Sequence, residues 1–201
     1  MVAFLSANME SGTSYPPLSP ISHTGSMTRN SAMETSNPPT APGPILRLPR
    51  AVYEGLRAHG EETYPHECCG VLLGHPTPDG WRVEKAVRAV NARTDAAHNR
   101  YSIAPAELVK IEMEARRSKL DIAGFYHSHP DHPAHWSATD LAEAHWFGCS
   151  YVITQVAKGM AKATCSFLLM GKTETDKRFE AQALKIDSDP SASESSGKTP
   201  K

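Results

Sequence analysis

Seven prolines fall within the first 44 residues, among Ser, Thr, Gly and Asn and with few large apolar side chains. Such a segment cannot offset its ordering entropy by burial, so residues 1–44 are expected to be a disordered extension. The Ser-rich stretch 185–201 is expected to be a disordered polar tail for the same reason. Any fold must therefore be built from residues 45–184, a length that supports one domain around one core.

Within that span short apolar runs alternate with helical patterns. Ile45–Leu48 reads as a strand, and Arg50–Glu62 as a helix with Val52, Tyr53 and Leu56 on one side, ended by Tyr64-Pro65. Cys69–Leu73 is a continuous apolar run suited to a buried strand; the turn signal His75–Gly80 leads to a second strand from Trp81 to about Val90. Pro105 suits the first turn of a helix over Ala106–Ser118, and a strand follows over Asp121–Tyr126. A short helix is predicted over Ser137–Trp146, then a hairpin of Tyr151–Val156 and Ala163–Met170 around Lys158-Gly159. Interleaved helices and sequential hairpins predict an α/β or α+β domain, a mixed β-sheet with flanking helices.

Charge narrows the function classes. Lys and Arg total 21 against 22 for Asp and Glu, so no electrostatic excess favours nucleic acid or an anionic membrane. No apolar run approaches the roughly 18 residues of a membrane span, and Met1–Leu5 lacks the basic and apolar regions of an export leader. A cytoplasmic protein is expected, with Cys68, Cys69, Cys149 and Cys165 as free thiols, since none is spaced as CxxC. Nothing in the pattern fixes an oligomeric state; a homo-oligomer is allowed.

The chemistry concentrates in His127-Ser-His-Pro-Asp-His-Pro-Ala-His-Trp-Ser-Ala-Thr-Asp140. His127 and His129 end a strand two residues apart, so period-two alternation points both imidazoles to one face and Ser128 to the other. Asp140, in the first turn of the next helix, can bring a carboxylate to the same point. Two His and one carboxylate leave the fourth position of a tetrahedral zinc open, the pattern of catalytic sites, although iron and manganese accept similar donors. A second reading of Ser137-x-x-Asp140 is a capping box, in which both residues serve the helix terminus. Both uses can hold at once for Ser137.

The run H-S-H-P-x6-S-x-x-D resembles the signature of the JAMM, or MPN-type, metallopeptidases, which remove ubiquitin or ubiquitin-like proteins. Tyr64-Pro-His-Glu-Cys-Cys-Gly-Val-Leu-Leu-Gly74 is similar to the family's upstream segment, and Arg100-Tyr-Ser-Ile-Ala-Pro105 and Gly124-Phe-Tyr126 are similar to its bacterial branch. The resemblance covers about residues 45–170. It implies a JAMM/MPN domain of cytidine-deaminase-like fold, one zinc ion held by His127, His129 and Asp140, Glu67 as general base toward the attacking water, and Ser137 as a donor to the oxyanion. It also implies a substrate: a ubiquitin-like or sulfur-carrier protein cut after its C-terminal Gly-Gly. Taken alone, Glu67 beside an apolar run reads as a strand-end surface charge.

One position departs from the pattern. The residue before the family's serine is usually proline and here is Trp136, which predicts a looser loop and leaves His132 and His135 as exposed loop residues or as contacts to metal or to a substrate carboxylate. Rival readings are a zinc hydrolase of small amides and a catalytically idle MPN scaffold that binds partner proteins. Cysteine nucleophiles are disfavoured, because Cys68 and Cys69 have no basic neighbour except His66. A zinc deaminase would need H-x-E with P-C-x-x-C, which the sequence lacks.

Overall fold

The computed structural model describes residues 43–93 and 97–188. The extension 1–44 lies almost wholly outside these residues, as does the tail from 189 onward. Elements run in the order β1 (Ile45–Pro49), α1 (Arg50–Thr63), β2 (Cys69–Thr77), β3 (Gly80–Ala89), α2 (Pro105–Arg117), β4 (Asp121–Pro130), α3 (Ala138–Glu143), β5 (Ser150–Ala157), β6 (Met160–Met170) and β7 (Arg178–Asp187). This is a mixed α+β arrangement, but the sheet is not the plain flanked sheet that the sequence predicted. It closes on itself as β1-β3-β2-β4-β5-β6-β7. The physical reason is β1, which pairs in parallel with β3 from Ile45 to Arg47 and with β7 from Ile45 to Pro49. β7 also carries strand structure three residues past the boundary that composition set at 184.

Two apolar layers hold the sheet. On one face α1 lays Leu56, Val52 and Tyr53 against Leu46, Leu48, Leu72, Val83 and Val152. On the other, Ile111 and Ala115 of α2 meet Val71, Leu73, Ile122 and Phe125. Cys69–Gly74 and Ile122–Pro130 are buried throughout because both their faces are covered. Each fully buried aliphatic side chain contributes roughly 1.5–3 kcal/mol. Glu107 in the first turn of α2 and Arg116 and Arg117 in its last turn complement the helix dipole.

Glycines permit two close approaches that fix β4. A Cβ on Gly124 would lie 1.9 Å from the Ser150 carbonyl oxygen, so its absence lets β4 run beside β5 in the parallel register His127↔Ile153 and His129↔Gln155. A Cβ on Gly60 would sit 3.1 Å from the Ser128 Cβ, so α1 crosses directly over the even-numbered side of β4. At its end β4 is held by Asp131, whose carboxylate accepts from the Tyr64 hydroxyl at 2.8 Å and the Lys158 amide at 2.9 Å.

Candidate metal centre

Antiparallel pairing sets Cys69 opposite His127, and the Ser128 amide donates to the Cys68 carbonyl at 3.2 Å. The same register carried two residues back brings Glu67 level with His129, on the same side of the sheet as both imidazoles. Backbone bonds fix Glu67 there: its amide donates to the Ala97 carbonyl at 2.7 Å and its carbonyl accepts from Asn91 Nδ2 at 3.3 Å. Its side chain is buried, with 5% of the residue exposed, which corrects the reading of a surface charge.

His127, His129 and Asp140 converge. The two Nε2 atoms stand 3.0 Å apart, Asp140 Oδ1 is 3.3 Å from His127 Nε2, and Asp140 Oδ2 is 3.5 Å from His129 Nε2. Donors about 2.0–2.1 Å from one tetrahedral ion stand roughly 3.3 Å from each other, so these spacings fit a small cation. His129 Nδ1 donates to the Pro133 carbonyl at 2.9 Å, which leaves the Nε2 lone pair for the cluster. His127 is stacked on Tyr101, with ring centroids 4.6 Å apart, and its Nδ1 is buried with no hydrogen-bond partner among the described residues. The structure thus brings together the three residues that the resemblance implies as donors, and the cluster is the one such group among the described residues.

Metal binding needs neutral imidazole and ionised carboxylate, and the shifts at His127 and Asp140, though not that at His129, run in that direction. Burial lowers the His127 pKa against the pull of Asp140. Asp140 is itself disfavoured by burial, but hydrogen bonds from His127 and His129 win and hold its carboxyl far below the usual range. For His129 burial is outweighed by Asp140 and the Pro133 carbonyl, and its pKa is raised. Glu67 behaves differently: burial pushes its carboxyl up to about 8, with His129 opposing and Asp140 adding to the rise.

Ser137 caps α3. Its Oγ accepts from the Asp140 amide at 3.1 Å while Asp140 Oδ2 accepts from the Ser137 amide at 2.6 Å, so the capping box and the convergent carboxylate are the same residue pair. The helix itself is only Ala138–Glu143, shorter than predicted. Ser137 lines a cavity of about 440 Å³ together with Glu67, His129, His132, His135 and Arg100. Neither His132 nor His135 joins the metal cluster; both lie on the cavity wall. Where the family pattern has proline, the side chain is packed. Trp136 is half-buried against Phe179, and His135 stacks on Trp136 and meets Phe167 edge-on. The neighbouring thiols are poor nucleophiles, because burial pushes Cys68 up to about 11 and Cys69 up to about 12. Tyr101 and the Pro133 carbonyl were not singled out from sequence; each supports a ligand across a loop, where no spacing rule operates.

Fold and donor cluster together define an α+β domain with a candidate metal site. The chain belongs to the family described as prokaryotic homologs of the JAB domain, which matches residues 49–169. This agrees with the JAMM/MPN resemblance of the motif. It is 37% identical over 89 residues to the desampylase of Haloferax volcanii, covering 44% of this chain and 62% of that protein. To a protein of Thermus thermophilus named a probable TtuB-protein conjugate cleaving protease it is 32% identical over 104 residues, covering 52% and 66%. The chain thus spans less than two thirds of the length of either relative. Solution structures of proteins from Desulfitobacterium hafniense (27% identity, TM-score 0.59, 71% of this chain and 94% of that one) and Salinibacter ruber (35%, 0.54, 73% and 93%) share the fold.

Proposed function

We propose that this chain is a zinc-dependent peptidase or isopeptidase that hydrolyses the amide bond after the C-terminal Gly-Gly of a ubiquitin-like or sulfur-carrier protein. The observation that carries the reading is the convergence of His127, His129 and Asp140 beside a buried carboxyl at Glu67, all on one side of β4. The names of the two curated relatives support the substrate class. A cytoplasmic location belongs to the same reading, and no helix among the described residues is long and apolar enough to cross a membrane.

His127, His129 and Asp140 would hold the zinc, which supplies Lewis acidity toward water and the scissile carbonyl. Glu67 is the proton carrier. Its carboxyl lies where burial raises proton affinity into the range useful near neutrality, and a cation beside it would favour the charged, accepting form. The carboxylate oxygen takes a proton from the attacking water and returns it to the leaving amine. Ser137 keeps its hydroxyl hydrogen free, because its oxygen is the acceptor in the cap, so that hydrogen is available to an oxyanion. The capping box holds Asp140 in register with both imidazoles. A complete donor set argues against an idle scaffold.

The test pairs two substitutions. Glu67→Gln keeps volume but cannot accept a proton, so zinc, read by elemental analysis, should stay while cleavage of a Gly-Gly-tailed carrier falls about 10²-fold or more. Asp140→Asn should lose zinc and cleavage together. Wild-type turnover by Glu67→Gln, or loss of its zinc, overturns the assignment.

A further inference from the structure

The cavity that contains Glu67 and His129 is asymmetric in charge. Glu67 is the one carboxylate among its lining residues and sits at the reacting end, whereas the facing loops contribute Arg100, His132 and His135. Arg100 also differs from the arginines around it. Arg47, Arg88 and Arg93 each pair with a carboxylate, of Asp79, Glu62 and Glu143 respectively, while the exposed Arg100 guanidinium has no ion pair among the described residues. Its backbone is nevertheless fixed. Asn91 Nδ2 donates to the Arg100 carbonyl at 3.0 Å, and Asn91 Oδ1 accepts from the Ser102 amide at 3.1 Å. Between them Tyr101 stacks on His127. An uncommitted cation is therefore anchored one residue from a side chain that touches the metal cluster.

We infer that Arg100 is a specificity-determining residue that binds a carboxylate on the amine side of the scissile amide. This rests on the proposed peptidase reading. Two glycines on the acyl side bring no side chain, so they leave a cavity of about 440 Å³ to the group beyond the cut bond. A guanidinium presents paired N–H donors that match a carboxylate fork, and that of Arg100 has no ion pair among the described residues to compete. The favoured leaving groups are amines that carry a carboxylate close by: a free α-amino acid, or an acidic residue directly after the cut. An amine without such a charge is the poorer leaving group.

The test uses the zinc-loaded full chain and three acetylated peptides that share Ala-Gly-Gly and continue with alanine as the free acid, alanine carboxamide, or aspartate carboxamide. The free acid should show a KM about 10-fold or more below that of the alanine carboxamide, the scale of a charge-assisted hydrogen bond, with kcat changing less. In Arg100→Gln that ratio should fall to about 2-fold or less, and Arg100→Lys should retain part of it. Calorimetric Kd values for the same peptides on zinc-loaded Glu67→Gln should follow the same order without turnover. Aspartate carboxamide binding like the free acid assigns recognition to any nearby carboxylate; binding like alanine carboxamide assigns it to the α-carboxylate. Equal KM and Kd for acid and carboxamide, or a ratio unchanged in Arg100→Gln, overturns the inference while hydrolysis still upholds the peptidase. Binding that ranks acid over carboxamide with no turnover of any peptide sinks the peptidase reading instead and upholds the carboxylate site.

Discussion

Even- and odd-numbered residues of β4 sit in different worlds. On the even side Tyr126 shares a hydrogen bond of 2.9 Å with His59 Nδ1, and Ser128 Oγ accepts the Cys68 amide at 2.9 Å, both beneath α1. Those polar groups satisfy one another. On the odd side His127 and His129 turn their Nε2 atoms toward each other and toward Asp140, and His127 Nδ1 has no partner among the described residues. Buried polar atoms are ordinarily paired within the protein; on the even side they pair in the service of the fold, whereas on the odd side they converge on one another, as the proposed metal site requires. One strand thus separates stability from chemistry by alternation alone.

The largest test of that separation is His129→Ala. Removing an odd-side donor should abolish zinc binding by elemental analysis and with it cleavage, by at least about 10²-fold, while the zinc-free protein remains folded by circular dichroism. Retained zinc would show that the odd side is not the ligand face. Ser128→Ala should do the reverse. It leaves the Cys68 amide without its acceptor, costing about 1–3 kcal/mol in a denaturant titration, with zinc content unchanged. Loss of metal there would join the two sides that the strand separates.

A separate test is the pH dependence of the metal-free protein. The folded Glu67 carboxyl binds its proton up to about 8, against 4.5 in an unfolded chain. Its contribution is fully present below 4.5 and is lost as pH rises through about 8. Denaturation midpoints of wild type should therefore decline between these limits relative to Glu67→Gln, which cannot titrate; parallel curves would contradict the buried carboxyl. The least effect is expected for His135→Ala, which should keep near-normal zinc because its imidazole packs on Trp136 and Phe167. Zinc loss equal to that of His129→Ala would enlarge the ligand set.

Much of this side of β4 was legible in sequence because it obeys local rules. Period-two alternation is enough to aim His127 and His129 together, and the spacing to Asp140 is carried by the family motif. Glu67 needed the motif as well, since nothing around it in sequence shows that pairing with β4 buries it. What stayed hidden depends on distant partners. Tyr101 reaches His127 across a loop, and Trp136, where the family pattern has proline, is in contact with Phe179, a residue of a strand that was not predicted. β7 itself is hard to read: Gln182 is buried within it and hydrogen-bonded to Ser166 Oγ at 2.7 Å, so its pattern looks polar.

The double pairing of β1 also bears on when this protein can finish folding. Ile45 is hydrogen-bond neighbour to a strand reached only at Ala183, at the far end of the described chain. During synthesis β4, the strand of His127 and His129, and its partner β5 leave the ribosome while β1 still lacks one of its two neighbours. Contacts between segments so far apart along the chain close slowly. The seam is therefore the last piece of order to arrive, and until β7 is made β1 carries an unpaired edge that a growing chain must keep from other strands.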